Sequence, residues 1–163
     1  MRTYVFKLYR AKKNKHLSKK INLAGAIYNH LIALHRRYYR VFCKGISAAR
    51  IQLHITKLKK TKRYAFWNNL GSQAIQDIAQ RIDRAYKLFF NNLKRGNRTS
   101  PPGFKKVRRY RSFTLKQAGY KLTAGTSCSA RAGEITIMGR KYKFFKSREI
   151  VGKKKSSRSN VTH

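Results

Sequence analysis

The stretch SQAIQDIAQRIDRAYKLFFNNLK, residues Ser72–Lys94, carries the strongest structural signal in the chain. Counting 100° per residue, its apolar side chains fall within one arc of about 120°. The members of this arc are Ile78, Ala79, Ile82, Ala85, Tyr86, Phe89 and Leu93, and Asp77 falls with the polar residues on the opposite side. Ser72 is a candidate N-cap and Gly96 a candidate stop. The stretch predicts an amphipathic helix with one face in a core and a cationic face outside.

Two carboxylates on this helix each stand four residues before a basic residue, which is the favourable orientation for an ion pair. The pairs are Asp77 with Arg81 and Asp83 with Lys87. Each pair adds about 0.2–0.5 kcal/mol to the stability of a helix.

Two more helices are predicted upstream. Apolar residues recur at helical spacing from Leu17 to about Cys43, and His35 lies in the middle of their face. We expect His35 to be a packed, hydrogen-bonded histidine, and the alternative is a ligand or an acid–base group. A further helix over residues 48–60 can be capped by Ser47.

Aromatic side chains accompany these helices, and they can serve either a core or the stacking of nucleobases. In the first helix we expect core packing for Tyr28, Tyr38, Tyr39 and Phe42. The lone tryptophan, Trp67, is expected to anchor the helices to one another. His30 falls on the polar side of the first helix, where we expect it to face RNA or solvent.

Short alternating segments outside the helical part predict β-strands. They cover residues 3–9, 111–115, 120–122, 134–138 and 140–145. A strand, a helical insertion and several further strands indicate an α+β fold, in which a small split barrel is interrupted by a three-helix lobe. Residues 152–163 are polar, basic and rich in serine, so we expect them to be disordered.

The charge of the chain is extreme. Its 163 residues include 41 Lys and Arg against 4 Asp and Glu, for a net charge of +37. Self-repulsion at this density opposes folding unless a polyanion neutralises it. We therefore expect a nucleic-acid partner, with an anionic membrane surface as the alternative, and poor folding without nucleic acid.

Targeting and redox signals are weak. No apolar run approaches the roughly 20 residues that span a bilayer, and the amino terminus lacks the apolar core of a signal peptide. Cys43 and Cys128 lie far apart and outside any CxxC pair, so they indicate neither a zinc site nor a disulfide framework. This cysteine usage fits a reducing cytoplasm.

Acid chemistry in this chain depends on four carboxylates: Asp77, Asp83, Glu134 and Glu149. Asp77 and Asp83 point about 120° apart on one helix, and Glu134 is expected in a glycine-flanked turn. A two-metal nuclease needs acidic side chains that converge on ions about 4 Å apart. We expect no catalytic residue, no metal site and no cofactor in this chain.

Since no catalytic residue is expected, binding is the function left to consider. Phosphate contacts from Lys and Arg supply affinity for nucleic acid but carry no sequence information. Two basic clusters are the candidates, with a solvated surface charge as the ordinary alternative for each member. One follows the second helix and contains Lys57, Lys59, Lys60, Lys62 and Arg63. The other surrounds the Gly/Pro turn and contains Lys105, Lys106, Arg108, Arg109 and Arg111.

Several motifs, in the right order, resemble the TnpB (OrfB) proteins of bacterial insertion sequences, which are RNA-guided nucleases related to the type V CRISPR effectors. The motifs are YVFKLYR (4–10), INLAGAIYNHLIALHRRYY (21–39), RIDRAYKLFF (81–90) and PPGFKKVRRYRSFTL (101–115). The resemblance covers roughly residues 2–150.

The resemblance implies a wedge domain of barrel type, residues 1–15 and 96–151, split by a helical recognition lobe, residues 16–95, and followed by the basic tail. It implies guide RNA and target DNA as partners in a prokaryotic cytoplasm, with nucleoid association when DNA is bound. Full-length relatives continue into a RuvC-like nuclease domain that uses Mg²⁺ and carries a structural Zn²⁺ ribbon. This chain stops near where that domain should begin, so we expect a truncated relative without nuclease activity.

Reading a base edge requires amide or hydroxyl groups. The family elements that correspond to the start of the long helix and to the following strand face the DNA motif beside the target. This correspondence points to Ser72, Gln73, Gln76, Gln80, Ser112 and Thr114. Gln76 and Gln80 can equally be ordinary helix-surface amides.

Two other interpretations stay open at this point. Composition and size also suit a stand-alone structural RNA-binding protein of ribosomal type. Residues 17–60 could instead act as a helix-turn-helix that binds duplex DNA in the major groove without RNA.

Overall fold

The computed structural model describes residues 5–12, 14–115, 119–123, 132–147 and 157–160, and all their side chains except those of Arg108 and residues 157–160. Within these residues the chain forms three α-helices, two 3₁₀ helices and five strands. The α-helices are α1 (Asn14–Phe42), α2 (Ala48–Lys60) and α3 (Ser72–Lys94), and the 3₁₀ helices are Lys62–Leu70 and Val107–Arg109. The strands are β1 (Ser112–Leu115), β2 (Tyr120–Thr123), β3 (Ala132–Ile137), β4 (Arg140–Phe145) and β5 (Ser157–Asn160).

The ends of the helices follow local chemistry. Ser47 caps α2 as predicted, because its side chain accepts a hydrogen bond from the backbone N–H of Arg50 at 3.4 Å. The predicted cap of α3 is wrong by one residue, since Ser72 is already helical and Gly71 occupies the cap position. Gly96, at φ +73°, stops the helix as predicted, and its N–H donates to the Leu93 carbonyl at 3.0 Å.

Three strands form an antiparallel sheet in the order β2-β3-β4. A two-residue turn joins β3 to β4, and its residues Met138 and Gly139 both have positive φ, at 49° and 79°. Positive φ at both positions is the geometry of a tight hairpin whose twist matches the strands. The predicted first strand, residues 3–9, is present only as a bridge between Leu8 and Phe144 at the edge of β4, and residues 3–4 lie outside the described part.

The other sheet has two strands, β1 and β5, paired antiparallel. The prediction of a disordered tail is therefore wrong for residues 157–160, whose backbone pairs with β1, whereas residues 152–156 and 161–163 lie outside the described residues. Alternation in β1 places Phe113 and Leu115 in the core, where they are 0% and 2% exposed.

One hydrophobic cluster joins the helices to the strands. It runs from Ile27 and Leu31 of α1 through Ile78 of α3 to Phe113 and Tyr142 of the two sheets. Burial of this cluster is the main favourable contribution to the stability of the fold, because each fully buried large apolar side chain contributes roughly 1.5–3 kcal/mol.

The predictions for the aromatic side chains are partly confirmed and partly wrong. Trp67 is buried in the cluster, so its expected anchoring role is confirmed. Tyr39 and Phe42 are 55% and 56% exposed, so the prediction of a core position is wrong for both. The apolar pattern of α1 continues to the end of the helix, but residues 39–42, its last turn, are exposed.

These elements make the chain an α+β protein, as predicted. The grouping of the strands into one split barrel, and the division into a wedge domain and a recognition lobe, stay predictions. No helix in the described ranges is both long enough and apolar enough to cross a bilayer.

Candidate nucleic-acid interface

The basic Gly/Pro turn is held against α1 by one asparagine. The Asn29 side-chain N–H donates to the backbone carbonyl of Lys105 at 2.7 Å, and the Lys105 backbone N–H donates to Asn29 Oδ1 at 2.9 Å. This double hydrogen bond satisfies both backbone groups of Lys105 and fixes its place relative to the helix. We name residues 99–106 the docked turn.

Aromatic and cationic side chains reinforce this attachment. The Tyr28 hydroxyl donates to the Gly103 carbonyl at 3.3 Å, and the Lys105 ammonium lies 5.1 Å from the centre of the Tyr28 ring. The Arg36 guanidinium lies 4.6 Å from the centre of the Phe104 ring. Both distances are within the range of cation–π attraction. The docked turn is therefore an ordered part of the surface.

The predicted phosphate-binding residues of this region are mostly open to solvent. Lys105, Lys106, Arg109 and Arg111 are exposed, and the side chain of Arg108 lies outside the described part. Val107–Arg109 form a short 3₁₀ helix that leads into Tyr110, which is buried against α1. The structure thus brings several of these predicted cations together around one short stretch of chain.

The second predicted group follows α2. Lys57, Lys60, Lys62 and Arg63 are exposed, whereas Lys59 is partly buried and burial lowers the pKa of its ammonium. Arg63 also lies 5.7 Å from the centre of the Tyr64 ring. These residues span the end of α2 and the start of the next 3₁₀ helix. They form a second basic segment, on elements that do not include the docked turn.

Arg81 joins the predicted base-reading residues of β1 to α3. Its guanidinium donates to the carbonyl and the hydroxyl of Ser112 at 3.0 and 3.4 Å, and to the Thr114 hydroxyl at 2.6 Å. Gln80 precedes it on α3 and is partly buried. Arg81 was not predicted to hold the base-reading residues, because its spacing from Asp77 indicated only an ion pair within α3.

The remaining predicted readers lie along α3. Gln73, Gln76 and Gln80 share one side of the helix, and Ser72 is exposed in its first turn. Ser72 and Gln80 are eight residues apart, or about 12 Å along the helix axis, so a single base pair cannot contact both. Arg84 continues the same side one turn further and is exposed, and it was missed as a candidate.

A buried ion pair supports Arg81. Asp77 is only 4% exposed, and its Oδ2 lies 2.6 Å from Arg81 Nε, although this contact is not aligned as a hydrogen bond. The expected ion pair is confirmed, but the placement of Asp77 on the outer face of α3 is wrong because Asp77 is buried beside Arg81 and Tyr110. The Tyr110 hydroxyl lies near this ion pair. Burial raises the pKa of the hydroxyl, and the charge of Arg81 opposes that shift.

Two histidines meet between α1 and α2. His30 and His54 stack with their ring centres 5.5 Å apart, and their Nε2 atoms are 3.2 Å apart. Trp67 and Tyr64 meet the His30 ring edge-on, and His30 is partly buried among these rings, so its contact with RNA or solvent stays a prediction. Burial lowers the pKa of both imidazoles, and the charge of Arg37 lowers each further.

His35 is packed, as expected, but the expected hydrogen bond is missing at one ring nitrogen. Its ring stacks on Tyr86 with 4.4 Å between the ring centres, and its Nε2 is buried without a hydrogen-bond partner. Burial lowers the pKa of the imidazole to about 4, and the Asp83 carboxylate works in the opposite direction. The ring is neutral at ordinary pH and acts as part of the core.

The carboxylates do not converge in the part of the chain that is described. Asp77 pairs with Arg81 and Asp83 with Lys87 at 3.0 Å, as the spacing predicted. Glu134 lies within β3, opposite Lys143 of β4, so its prediction in a turn is wrong, and Glu149 lies outside the described residues. In the described ranges, no three His, Cys, Asp or Glu side chains are grouped so as to hold a metal ion.

Comparisons with known proteins add no relative. No model of a known protein family matches the chain, and a search of curated proteins returns no match. The likeness to TnpB proteins accordingly depends on the sequence motifs quoted above.

Proposed function

We propose that this chain is the nucleic-acid-binding, amino-terminal portion of a TnpB-like protein, and that it binds guide RNA and the DNA motif flanking the target. The observation that carries the proposal is the docked turn. Asn29 fixes the backbone of Lys105, and exposed Lys106, Arg109 and Arg111 follow it. Cations on an ordered backbone can contact successive phosphates without first being ordered by the ligand.

The charge balance supports a polyanionic partner. The chain carries 41 basic residues against 4 acidic ones, and two of the acidic ones are already paired within α3. Counterion release from a bound nucleic acid converts such an excess into affinity. The proposal places the protein in a prokaryotic cytoplasm, on the nucleoid when DNA is bound, and assigns it no nuclease chemistry and no cofactor.

The proposed reader of the flanking motif is the surface formed by α3 and β1. Arg81 holds Ser112 and Thr114 beside the helix that carries Gln76 and Gln80. Amides and hydroxyls at fixed positions can match the donors and acceptors of base edges in the major groove. In this proposal Arg81 orients the two hydroxyl side chains and does not itself contact the base.

The partner can be identified directly. The chain is expressed next to its native genomic flank and purified, and the RNA bound to it is sequenced. A single abundant RNA from the neighbouring element supports guide binding. Ribosomal RNA, or a random mixture, would refute guide binding and favour the ribosomal-type alternative or a nonspecific polycation.

The contribution of the docked turn is tested by charge removal. Lys105, Lys106 and Arg109 are replaced together by Gln, and the affinity for RNA is measured over a range of salt concentrations. We expect the slope of log K against log salt to become shallower by about 0.7 for each phosphate of a single strand that is no longer neutralised. The matched control removes three exposed cations of the small sheet, Lys121, Lys141 and Lys143. Equal effects of the two triple variants would show that only total charge matters.

The reading surface has its own test. Gln76→Ala should reduce the discrimination between the preferred flanking motif and its single-base variants by roughly 1–3 kcal/mol, because the amide that reads one base edge is removed. Guide RNA affinity should be unchanged. Asn69→Ala removes an exposed amide from the neighbouring 3₁₀ helix and is the control. A variant that keeps full motif discrimination would remove Gln76 from the proposed reader.

A further inference from the structure

A cleft of about 390 Å³ lies between α1, the second half of α3 and the docked turn. Its walls include Tyr28, Leu88, Phe89, Asn92, Pro102 and Phe104. This volume falls at the lower end of the roughly 300–1,000 Å³ that sites for small ligands occupy. The cleft shares the docked turn, including Lys105, with the proposed phosphate-binding region, and none of its lining residues belongs to the proposed reading surface of α3 and β1.

The cleft presents large apolar side chains to solvent. Phe104 is 55% exposed and Leu88 62%, although the chain has a core in which large apolar side chains are almost fully buried. Exposed apolar surface that is contiguous and edged by polar groups marks a binding surface. The guanidinium of Arg36 over the Phe104 ring holds that ring in place.

The polar and charged groups beside these apolar walls indicate which class of ligand fits the cleft. Asn92 adds an amide with both donors and an acceptor, and Lys105 adds a cation at the rim. Flat apolar surfaces, one amide and one cation match the three parts of a nucleotide, which are a base face, a base edge and a phosphate. Unpaired bases are bound in this way, by stacking on aromatic rings and by hydrogen bonds to their edges.

We propose that the cleft binds one unpaired base of a single-stranded nucleic acid. The base stacks against Phe104 and Phe89, the Asn92 amide contacts its edge, and its phosphate faces Lys105. The inference depends on the proposed nucleic-acid function and extends it, because it adds a site that distinguishes single strands from duplex. Internal base pairs of a duplex cannot enter, since both faces of each pair are already stacked.

The docked turn prepares this site before the ligand arrives. Asn29 and Tyr28 hold the turn by three hydrogen bonds, to Lys105 and to Gly103. A wall that is already ordered does not lose conformational entropy on binding, so the stacking energy appears in the affinity.

The test compares single-stranded and duplex oligonucleotides of one sequence by fluorescence anisotropy, at several salt concentrations. Phe104→Ala should weaken single-strand binding by about 5- to 150-fold, which is the effect of removing one base–aromatic stack. Duplex binding and the salt slope of single-strand binding should stay as in the wild type. Phe66→Ala is the control, because Phe66 is 50% exposed on the 3₁₀ helix outside the cleft.

A second measurement locates the bound base. A single abasic site is placed at each position of the oligonucleotide in turn. At one position the abasic site should weaken wild-type binding to the same extent as Phe104→Ala does, and it should not weaken binding by the Phe104→Ala variant any further. Asn92→Leu provides a second variant, on the surface of α3, in case Phe104→Ala disturbs the turn. It should lower single-strand affinity and alter the preference among bases at that position.

The outcomes separate the two proposals. If the wild type binds single strands while Phe104→Ala and Phe66→Ala both behave like it, the cleft is refuted and nucleic-acid binding stands. Equal weakening of single strands and duplex by Phe104→Ala would also refute the cleft. If the wild type binds no nucleic acid, the proposed function and the cleft fail together.

Discussion

Acidification should destabilise the protein through His35. This imidazole is 6% exposed, stacks on Tyr86 and has a buried nitrogen without a hydrogen-bond partner. The unfolded chain takes up a proton on this side chain with the ordinary pKa of 6.5, whereas the folded protein does so only at a pKa of about 4. The unfolded state therefore binds more protons between these values, and stability falls as the pH falls through this window.

The size of the effect follows from the two pKa values. The folded protein should lose about 2 kcal/mol of stability between roughly pH 7.5 and pH 5 through this residue alone. Since the stability of a domain is commonly about 5–15 kcal/mol, such a loss is easily measured.

The measurement is urea denaturation of the wild type and of His35→Phe at pH values between about 7.5 and 5, with salt added to screen the net charge. Phenylalanine retains a ring against Tyr86 but cannot titrate. All other histidines are common to both proteins, so the difference between their pH profiles isolates His35. We expect the variant to lose about 2 kcal/mol less than the wild type over this range. Parallel profiles would refute the argument, because they would mean that His35 does not titrate differently in the folded and unfolded states.

Two further predictions concern packing between elements. Arg81→Leu should cost about 3 kcal/mol in urea denaturation, because it leaves the carboxylate of Asp77 buried without its partner, and a cost below about 1 kcal/mol would contradict that role. Gly25→Ala should destabilise by about 1–3 kcal/mol, because the new Cβ would lie 2.9 Å from Tyr110 Cβ and force α1 away from it. Gly45→Ala, whose Cβ would meet nothing within 4 Å, should change thermal stability little, and equal melting temperatures for the two glycine variants would overturn the packing argument.

Local patterns were sufficient to predict most of the secondary structure. Ser47 and the spacing of Ile51 and Ile55 predicted α2 over its observed range, and Gly96 predicted the end of α3. Alternation predicted β4 to the residue. These features depend on hydrogen bonds and side-chain directions within a few residues, which the sequence displays directly.

Some of the errors occur where a second element covers a surface, and others where it is missing, as at the exposed Tyr39 and Phe42. Asp77 lies outside the apolar arc of α3, but it is buried beside Tyr110 and beside Arg81, which donates to β1. His30 lies on the polar side of α1, but His54 of α2 and Trp67 of the 3₁₀ helix contact its ring and bury it in part. The pairing of β5 with β1 depends on backbone groups separated by more than forty residues, so no local period indicates it.

The same limit applies to the candidate interface. The sequence showed that 105 and 106 are lysines, but the attachment of their turn to Asn29 is a contact between segments 76 residues apart. The cleft likewise combines side chains of three elements. The polyanionic partner that composition indicates stays a prediction, while the arrangement of the surface required the structure.

The pairing of the acidic residues has a consequence for kinetics. Asp77 and Asp83 lie against cations of the same helix, so their fields are cancelled at short range. A nucleic acid, which is the proposed partner, would meet the attraction of the remaining cations almost undiminished. Encounter should then approach the steered limit of about 10⁸–10⁹ M⁻¹s⁻¹ at low salt, whatever the sequence of the nucleic acid. Nucleic acids that associate at equal rates can differ in affinity only through their dissociation rates. Selectivity in this protein should therefore appear in its dissociation rates.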